Sequence, residues 1–256
     1  MHDSGVAIVT GAGSGIGLAV AHRLIAEGYR LAVCDLDAAL AETFAAAIAE
    51  GRAVCVVGDV SEAGVRDRLI ASVRDHFGRL DVLVNNAATG GSAATVRDMD
   101  LDSLRRTLDI NVVSVVALTQ AAIPMLAESP CGSVVNLSSV FASDPVVGGG
   151  EYCASKGAID VLTKVLALEL GPLGITCNSV APGYILTRMH TEEVEFQAQA
   201  RGITTEQRFA ELRAEVPVGR HGQPEDVADA IVWLAGPGSR YVNGHRLAVN
   251  GGIDFS

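Results

Sequence analysis

The sequence alternates between short runs of β-branched residues and longer runs whose apolar residues recur at helical spacing. The short runs predict strands at residues 6–10, 31–35, 53–58, 81–85, 133–139, 175–180 and 246–249. The longer runs predict helices at residues 15–28, 38–50, 62–77, 101–127, 151–170 and 225–235. Because strands that alternate with helices pair in parallel through right-handed crossovers, we predict an α/β fold: a doubly wound parallel sheet with helices on both faces.

The composition supports a single domain and argues against some classes of binding partner. No linker or repeat divides the 256 residues, and 49% of them are apolar, so we predict a single domain over residues 1–256. The net charge of −11 argues against nucleic acid and anionic membranes as partners. The apolar stretch 112–126 carries polar residues and a proline, so we expect no membrane span, and the N-terminus lacks the pattern of a secretory signal. Five cysteines without a CxxC motif or a Cys/His cluster predict reduced thiols in the cytoplasm and no metal site.

Residues 183–220 form the least regular part of the sequence, with charged and weakly periodic pieces. A long excursion inside a compact domain is often functional. We predict that it covers the substrate; the alternative is a simple surface insertion.

The first predicted strand runs into the motif TGAGSGIG at residues 10–17. Glycines permit a tight strand-to-helix turn and let a pyrophosphate approach the backbone, while the helix N-terminus attracts negative charge. The motif therefore predicts a dinucleotide-binding turn of the Rossmann type, although a closely packed turn without a ligand has the same composition.

Asp35 ends the second predicted strand at the position where a carboxylate accepts hydrogen bonds from the adenosine ribose hydroxyls. A 2′-phosphate there would be repelled by Asp35 and Asp37, at about 1–4 kcal/mol for each pair at roughly 4 Å. No Lys or Arg stands at Ser14 or at residues 31–40 to compensate. We therefore predict NAD rather than NADP; the alternative role of Asp35 is an ordinary strand-end cap.

Tyr152 and Lys156 lie four residues apart near the start of a predicted helix, so they share a face. An ammonium group beside a phenol favours the phenolate, which suits tyrosine to general acid/base catalysis. Ser139 ends the fifth predicted strand, at the edge where doubly wound sheets bind ligands. The three residues together predict a catalytic site.

These motifs, in this order, resemble those of the short-chain dehydrogenase/reductase family along nearly the whole chain. The resemblance is carried by residues 10–17, 59–60, 85–87, Asn111, Ser139, 152–156, 182–183 with Thr187, and 249–252.

The resemblance implies the roles of individual residues. Tyr152 would exchange the proton with the substrate oxygen, Ser139 would orient that oxygen, and Lys156 would lower the tyrosine pKa and hold the nicotinamide ribose. Asn111 would position a water in the proton relay. The cofactor-binding residues implied, besides Tyr152 and Lys156, are Gly11, Gly15, Ile16, Gly17, Asp35, Asp59, Val60, Asn85, Ala87, Ile185 and Thr187.

We therefore expect an NAD-dependent oxidoreductase that interconverts a secondary alcohol, such as a small polyol or hydroxyketone, and its ketone. The alternatives are a 3-oxoacyl-thioester (acyl-carrier-protein) reductase and, outside enzymes, a dinucleotide-binding regulator. The resemblance also implies a homotetramer, which agrees with the apolar character of residues 112–126 and 158–170.

Overall fold

Seven parallel strands form one sheet in the order β3-β2-β1-β4-β5-β6-β7. The structure, a computed structural model, describes residues 5–255. The strands are β1 (Val6–Thr10), β2 (Arg30–Asp35), β3 (Ala53–Val57), β4 (Val82–Asn85), β5 (Ser133–Leu137), β6 (Thr176–Pro182) and β7 (Arg246–Val249). The predicted doubly wound sheet is confirmed. The strand order reverses between β1 and β4, so the carboxyl ends of these strands open a crevice for a ligand.

Helices cover both faces of the sheet. They are α1 (Gly15–Ala26), α2 (Leu40–Thr43), α3 (Ala45–Ala49), α4 (Ala63–Phe77), α5 (Leu101–Leu108), α6 (Ser114–Glu128), α7 (Gly150–Leu170), α8 (Arg188–Arg201), α9 (Thr205–Glu215) and α10 (Pro224–Ala235). One apolar core packs α1, α2, α3 and α10 against the sheet, and the other packs α4, α6 and α7 against its opposite face. Because both faces are covered, the central strands are apolar throughout rather than alternating.

Two of the helices predicted from the sequence are interrupted in the structure. The helix predicted at residues 38–50 is split at Phe44, whose backbone leaves the helical conformation (φ −106°, ψ 15°) while its side chain is buried in the core. The helix predicted at residues 101–127 contains a π turn, Asp109–Val113, between α5 and α6. Such turns are frequent at functional sites, and this one carries Asn111.

The continuous helical stretch Leu101–Glu128 is, by length and composition, apolar enough to cross a membrane. Its most apolar 18-residue window has a mean hydropathy of 1.8, and 39% of that window is buried. Leu118, Ala122 and Leu126 are fully buried in the core against the sheet. Core packing therefore accounts for much of the apolar character of this helix.

Candidate active site

The turn between β1 and α1 has a shape that depends on glycine. Gly11 and Gly15 have positive φ angles of 67° and 53°. A Cβ atom on Gly17 would lie 2.0 Å from the carbonyl oxygen of Gly11, so no side chain is possible there. Since α1 begins at Gly15, the N–H groups of its first turn belong to Gly15, Ile16 and Gly17, as a phosphate-binding turn requires.

Asn86, directly after β4, holds this turn from the neighbouring strand. Its Nδ2 donates to the carbonyl oxygens of Thr10 and Gly11, at 2.8 Å and 3.0 Å. The hydroxyl oxygen of Thr10 accepts in return from the N–H groups of Asn86 and Ala87, at 3.0 Å and 3.1 Å. The motif at residues 85–87 did not by itself indicate this role for Asn86. The same bonds place Ala87 beside the turn.

The Asp35 carboxylate also lies at the turn. Its Oδ2 accepts from the N–H of Gly13 at 2.7 Å, and its Oδ1 accepts from the N–H of Asp37 at 3.0 Å. A Cβ atom on Gly13 would lie 2.8 Å from the carboxyl carbon of Asp35. The structure therefore brings Asp35, the residue predicted to bind the adenosine ribose, next to the predicted phosphate-binding turn.

Three other residues predicted to contact the cofactor, Asn85, Asp59 and Val60, are held by burial or by hydrogen bonds within the protein. The side chain of Asn85 donates to Thr119 and Asn136 inside the core, which leaves its main chain for a cofactor. Burial opposes ionisation of Asp59, but hydrogen bonds from Ser61 and Arg106 outweigh it and keep the pKa of Asp59 below its ordinary value. Val60, next to Asp59 in the loop between β3 and α4, is buried.

Ser139, Tyr152 and Lys156 converge beyond the carboxyl end of β5. The Nζ of Lys156 donates to the carbonyl oxygen of Leu137 at 2.6 Å and lies 5.6 Å from the ring centroid of Tyr152. The side chain of Ser139 lies close enough to the Tyr152 hydroxyl to lower its pKa, although burial acts more strongly in the opposite direction. The predicted trio is therefore assembled, and the face shared by Tyr152 and Lys156 is confirmed.

The pKa values of this trio are set mainly by burial. Burial lowers the pKa of Lys156 to about 8, while the charge of Asp160 acts in the opposite direction. Burial raises the pKa of Tyr152 to about 12. We expected Lys156 to lower the tyrosine pKa; in the structure, burial of the phenol is the largest influence and raises it.

Asn111 lies in the π turn, and its side chain is occupied by protein atoms. Its Oδ1 accepts from the N–H of Thr89 at 2.8 Å, and its Nδ2 donates to the carbonyl oxygen of Thr89 and to Ser155 Oγ, both at 2.9 Å. Ser155 in turn donates to the carbonyl oxygen of Tyr152 at 2.7 Å. The side chain of Asn111 therefore positions α7, and a water relay through this residue would use its main chain.

Glu151 is a buried acidic residue beside Tyr152 whose position the sequence did not reveal. Its carboxylate is 2% exposed and accepts hydrogen bonds from the hydroxyls of Ser92, Ser103 and Thr107. Burial raises its pKa, but these donors outweigh burial and bring the pKa below its ordinary value. Glu151 therefore joins the loop after β4, α5 and the start of α7, next to Tyr152.

The predicted excursion at residues 183–220 folds into α8 and α9. Thr187 begins α8 by accepting from the N–H of His190 at 3.3 Å, and its methyl group would lie 3.2 Å from a Cβ atom on Gly15. Ile185 is buried and forms an isolated bridge with Gly222. The excursion therefore reaches the phosphate turn through Thr187.

A buried histidine pair fastens α8 and α9 to the domain. Nε2 of His221 donates to the carbonyl oxygen of Phe209 at 3.1 Å, so its Nδ1 is left to accept from Nε2 of His190 at 3.3 Å. The ring of Tyr184 stacks on His190 with centroids 5.5 Å apart. Burial lowers the pKa of His221, which favours this neutral arrangement.

Among residues 5–255, no group of three or more His, Cys, Asp or Glu side chains is arranged to hold a metal ion.

Comparisons with known proteins agree with this geometry. A family profile of short-chain dehydrogenases, described as "Enoyl-(Acyl carrier protein) reductase", matches residues 11–254. The chain belongs to the short-chain dehydrogenase/reductase family. It is 39% identical over 260 residues to (3R)-3-hydroxyacyl-CoA dehydrogenase of Canis lupus familiaris, covering 98% of this chain and 96% of the relative.

Two solved structures show the same fold with different cofactors. A variant of actinorhodin polyketide ketoreductase with NADPH has a TM-score of 0.92 at 35% identity and covers 99% of this chain and 98% of its own. NAD⁺-bound xylitol dehydrogenase has a TM-score of 0.90 at 32% identity, covering 97% and 98%. As a short-chain dehydrogenase/reductase, the chain is an oxidoreductase that binds a nicotinamide dinucleotide and acts on CH–OH groups.

Replacing Glu151 by Gln will destabilise the domain by about 1–3 kcal/mol at pH 7, because an amide NH₂ will face hydroxyls that now donate to an acceptor. The folded-state pKa of Glu151 is below its ordinary 4.5, so the carboxylate stabilises the fold above that pH and loses this contribution as the pH falls through its folded value. Urea unfolding at several pH values measures both effects.

Glu128→Gln is the matched control, since Glu128 is exposed at the end of α6. It should leave the unfolding free energy within about 0.5 kcal/mol of wild type. An unfolding curve of Glu151→Gln that matches wild type at every pH would contradict the anchoring role of Glu151.

Proposed function

We propose that this chain is an NAD-dependent oxidoreductase that interconverts a secondary alcohol and its ketone. The observation that carries the proposal is the convergence of Ser139, Tyr152 and Lys156 at the carboxyl end of β5. Such ends of a doubly wound sheet are where ligands bind. The glycine turn lies at the end of β1, two strands away in the sheet.

The residues around the glycine turn suit a dinucleotide. Because Gly11 and Gly17 carry no side chains, the turn can pack closely against Asn86 and itself, and the N–H groups at the start of α1 are left for a pyrophosphate. Asp35 presents a carboxylate that can accept from two ribose hydroxyls, and it would repel a 2′-phosphate. Arg68 lies on α4, and its guanidinium is engaged by main-chain acceptors: it donates to the carbonyl oxygens of Gly64 and of Val57, the last residue of β3. These features support NAD over NADP.

In the proposed mechanism, Tyr152 moves the proton and Ser139 orients the substrate. During oxidation, the Tyr152 oxygen takes the alcohol proton, and the Ser139 hydroxyl donates to the substrate oxygen. When bound, NAD supplies the hydride acceptor for oxidation and the hydride donor for reduction. Lys156, with its ammonium 5.6 Å from the Tyr152 ring, contributes a positive charge that favours the phenolate. In the reducing direction, the Tyr152 hydroxyl returns the proton.

For the substrate, we propose a small uncharged secondary alcohol, such as a polyol or hydroxyketone, covered by α8 and α9. The charge of Glu193 on α8 raises the pKa of Tyr152, which puts a carboxylate near the reacting group. Together with the net charge of −11, it would repel an anionic substrate carrier. Similarity to xylitol dehydrogenase supports the same choice.

A 3-oxoacyl or 3-hydroxyacyl thioester is the second candidate. The (3R)-3-hydroxyacyl-CoA dehydrogenase relative supports it. So do Val146 and Val147, which are 41% and 96% exposed in the loop before α7 and offer apolar surface to an acyl chain.

Tyr152→Phe should lower turnover at least 1,000-fold while NADH binding stays within about twofold, because only the proton-transferring hydroxyl is lost. NADH absorbance is followed with wild type on polyols, hydroxyketones, hydroxysteroids and short acyl thioesters, and the variant is then assayed on every compound that reacts. Tyr241→Phe, at a fully exposed position, is the control and should be fully active.

Turnover of the variant within tenfold of wild type would remove Tyr152 from its role. Wild-type turnover of thioesters alone would favour the second candidate. Cofactor binding with no turnover of any compound would instead support a dinucleotide-binding regulator.

NADH should bind wild type at least tenfold more tightly than NADPH, because a 2′-phosphate would meet the charge of Asp35. Fluorescence titration with each cofactor measures the two dissociation constants. Asp35→Asn should reduce the ratio of the NADPH dissociation constant to the NADH dissociation constant. Asp102→Asn, at an exposed position on α5, should leave this ratio unchanged. Tighter NADPH binding to wild type would refute the cofactor assignment.

We also propose a homotetramer in which α7 packs against another copy. Val161, Val165 and Leu168 recur at helical spacing on α7 and are 63%, 41% and 79% exposed, whereas Leu166 and Leu170 face the core. An exposed apolar stripe of this kind on a helix whose opposite face packs into the core is typical of an interface.

Light scattering should give about four times the chain mass of 26.5 kDa. Leu168→Glu should dissociate the assembly, because it would bury an unpaired carboxylate in the interface. Tyr241→Glu, on the exposed loop before β7, should leave the mass unchanged. A wild-type mass near 26.5 kDa would contradict the tetramer.

A further inference from the structure

Arg246, the first residue of β7, directs a nearly buried guanidinium group toward the active-site helix. Its side chain is 12% exposed, and its Nε donates to Asp160 Oδ2 at 3.0 Å. Asp160 is on α7, one turn after Lys156, and its other oxygen accepts from Ser179 Oγ at 3.0 Å. Because Ser179 is the strand partner of Arg246, the two residues hold Asp160 from adjacent strands.

The other end of the same guanidinium contacts the backbone of the catalytic serine. Nη2 of Arg246 donates to the main-chain carbonyl oxygen of Ser139 at 3.1 Å and to Ser143 Oγ at 2.9 Å. Ser139 and Ser143 flank the short 3₁₀ turn Val140–Ala142. Arg246 therefore forms hydrogen bonds at both ends of the turn that sets the direction of the Ser139 hydroxyl.

We propose that Arg246 is a positioning residue that fixes Ser139 relative to α7 and shields Lys156 from the carboxylate of Asp160. Ser139 lies two residues after the end of β5, whereas Tyr152 and Lys156 lie on α7. One planar guanidinium bonded to both elements sets the separation between the substrate-orienting hydroxyl and the proton-transferring hydroxyl. Small misplacements of such groups reduce turnover strongly.

The electrostatic part of the role follows from the groups that face Lys156. The ammonium group contacts the Leu137 carbonyl and the ring of Tyr152, and Asp160 raises its pKa against the effect of burial. Arg246 pairs with that carboxylate and so weakens its effect on Lys156. Asp254 lies on the far side of the guanidinium, 3.4 Å from Nη1, and is a second carboxylate on Arg246.

Removing a nearby positive charge raises the pKa of an acid, and removing a negative charge lowers it. Arg246→Met should therefore raise the pKa of Lys156, whereas Asp160→Asn should lower it. A purely structural ion pair between β7 and α7 would predict the same loss of stability in both variants without opposite pKa shifts.

The chain contains only two lysines, Lys156 and Lys164, so lysine-labelled NMR gives two titration curves. Lys164 is exposed and serves as an internal reference. Arg246→Met should raise the pKa of Lys156 from about 8 by about half a unit or more, and Asp160→Asn should lower it. Arg246→Lys, which keeps the charge and adds a third titration curve of its own, should return the pKa of Lys156 to near its wild-type value.

Arg240→Met is the matched control, because Arg240 also donates to main-chain carbonyls, those of Gly132 and Gly174, away from Ser139. It should lower the melting temperature yet leave the Lys156 titration unchanged. Arg246→Met should also lower kcat about tenfold or more on any substrate that wild type turns over, with NADH affinity within twofold. Arg246→Lys should recover part of that rate and the wild-type pH profile.

An unchanged Lys156 titration in Arg246→Met, or in Asp160→Asn if the first variant does not fold, would overturn the proposal. So would a wild-type kcat in Arg246→Met. The kinetic arm rests on the proposed oxidoreductase function, but the titration does not. Failure of that function would appear as an inactive wild type, whereas failure of this inference would appear as an unshifted titration.

Discussion

The buried ammonium group of Lys156 is the interaction on which the rest of the site depends. Taking a charge out of water is costly, so α7 can hold this lysine only where other groups compensate. The carbonyl oxygen of Leu137, the last residue of β5, compensates by accepting a hydrogen bond from the Lys156 Nζ at 2.6 Å. Because this bond joins α7 to the carboxyl end of β5, it places Tyr152 beside Ser139. The relative position of Tyr152 and Ser139 therefore follows from the hydrogen bond that compensates the buried charge of Lys156.

The two halves of α7 meet different surroundings. Its first turns are bound by polar contacts, with Glu151 accepting from three hydroxyls and Ser155 accepting from Asn111. Its later turns pack apolar residues such as Leu166 into the core. Hydrogen bonds depend on direction, whereas apolar packing is largely non-directional. The first half can therefore orient catalytic groups, while the second half supplies stability.

The sequence predicted those parts of the structure that depend on local spacing. Strand and helix periodicity gave the parallel sheet, and the four-residue spacing of Tyr152 and Lys156 gave their shared face. Ser139 could be placed near them because parallel strands end at one edge. By contrast, Glu151 is separated from Ser92 by 59 residues, and Arg246 is separated from Ser139 by 107. Such contacts have no local pattern, so they could not be predicted.

The pKa of Tyr152 shows the limit of local reasoning most clearly. The spacing to Lys156 predicted a lowered value, whereas burial raises the pKa to about 12. The spacing does specify a neighbouring charge, but it says nothing about how much water surrounds the phenol. In a site this poorly hydrated, charges interact more strongly than in water. Activation of Tyr152 therefore depends on its burial and on the groups around it, including Ser139 and the charge of Glu193, rather than on one neighbouring lysine.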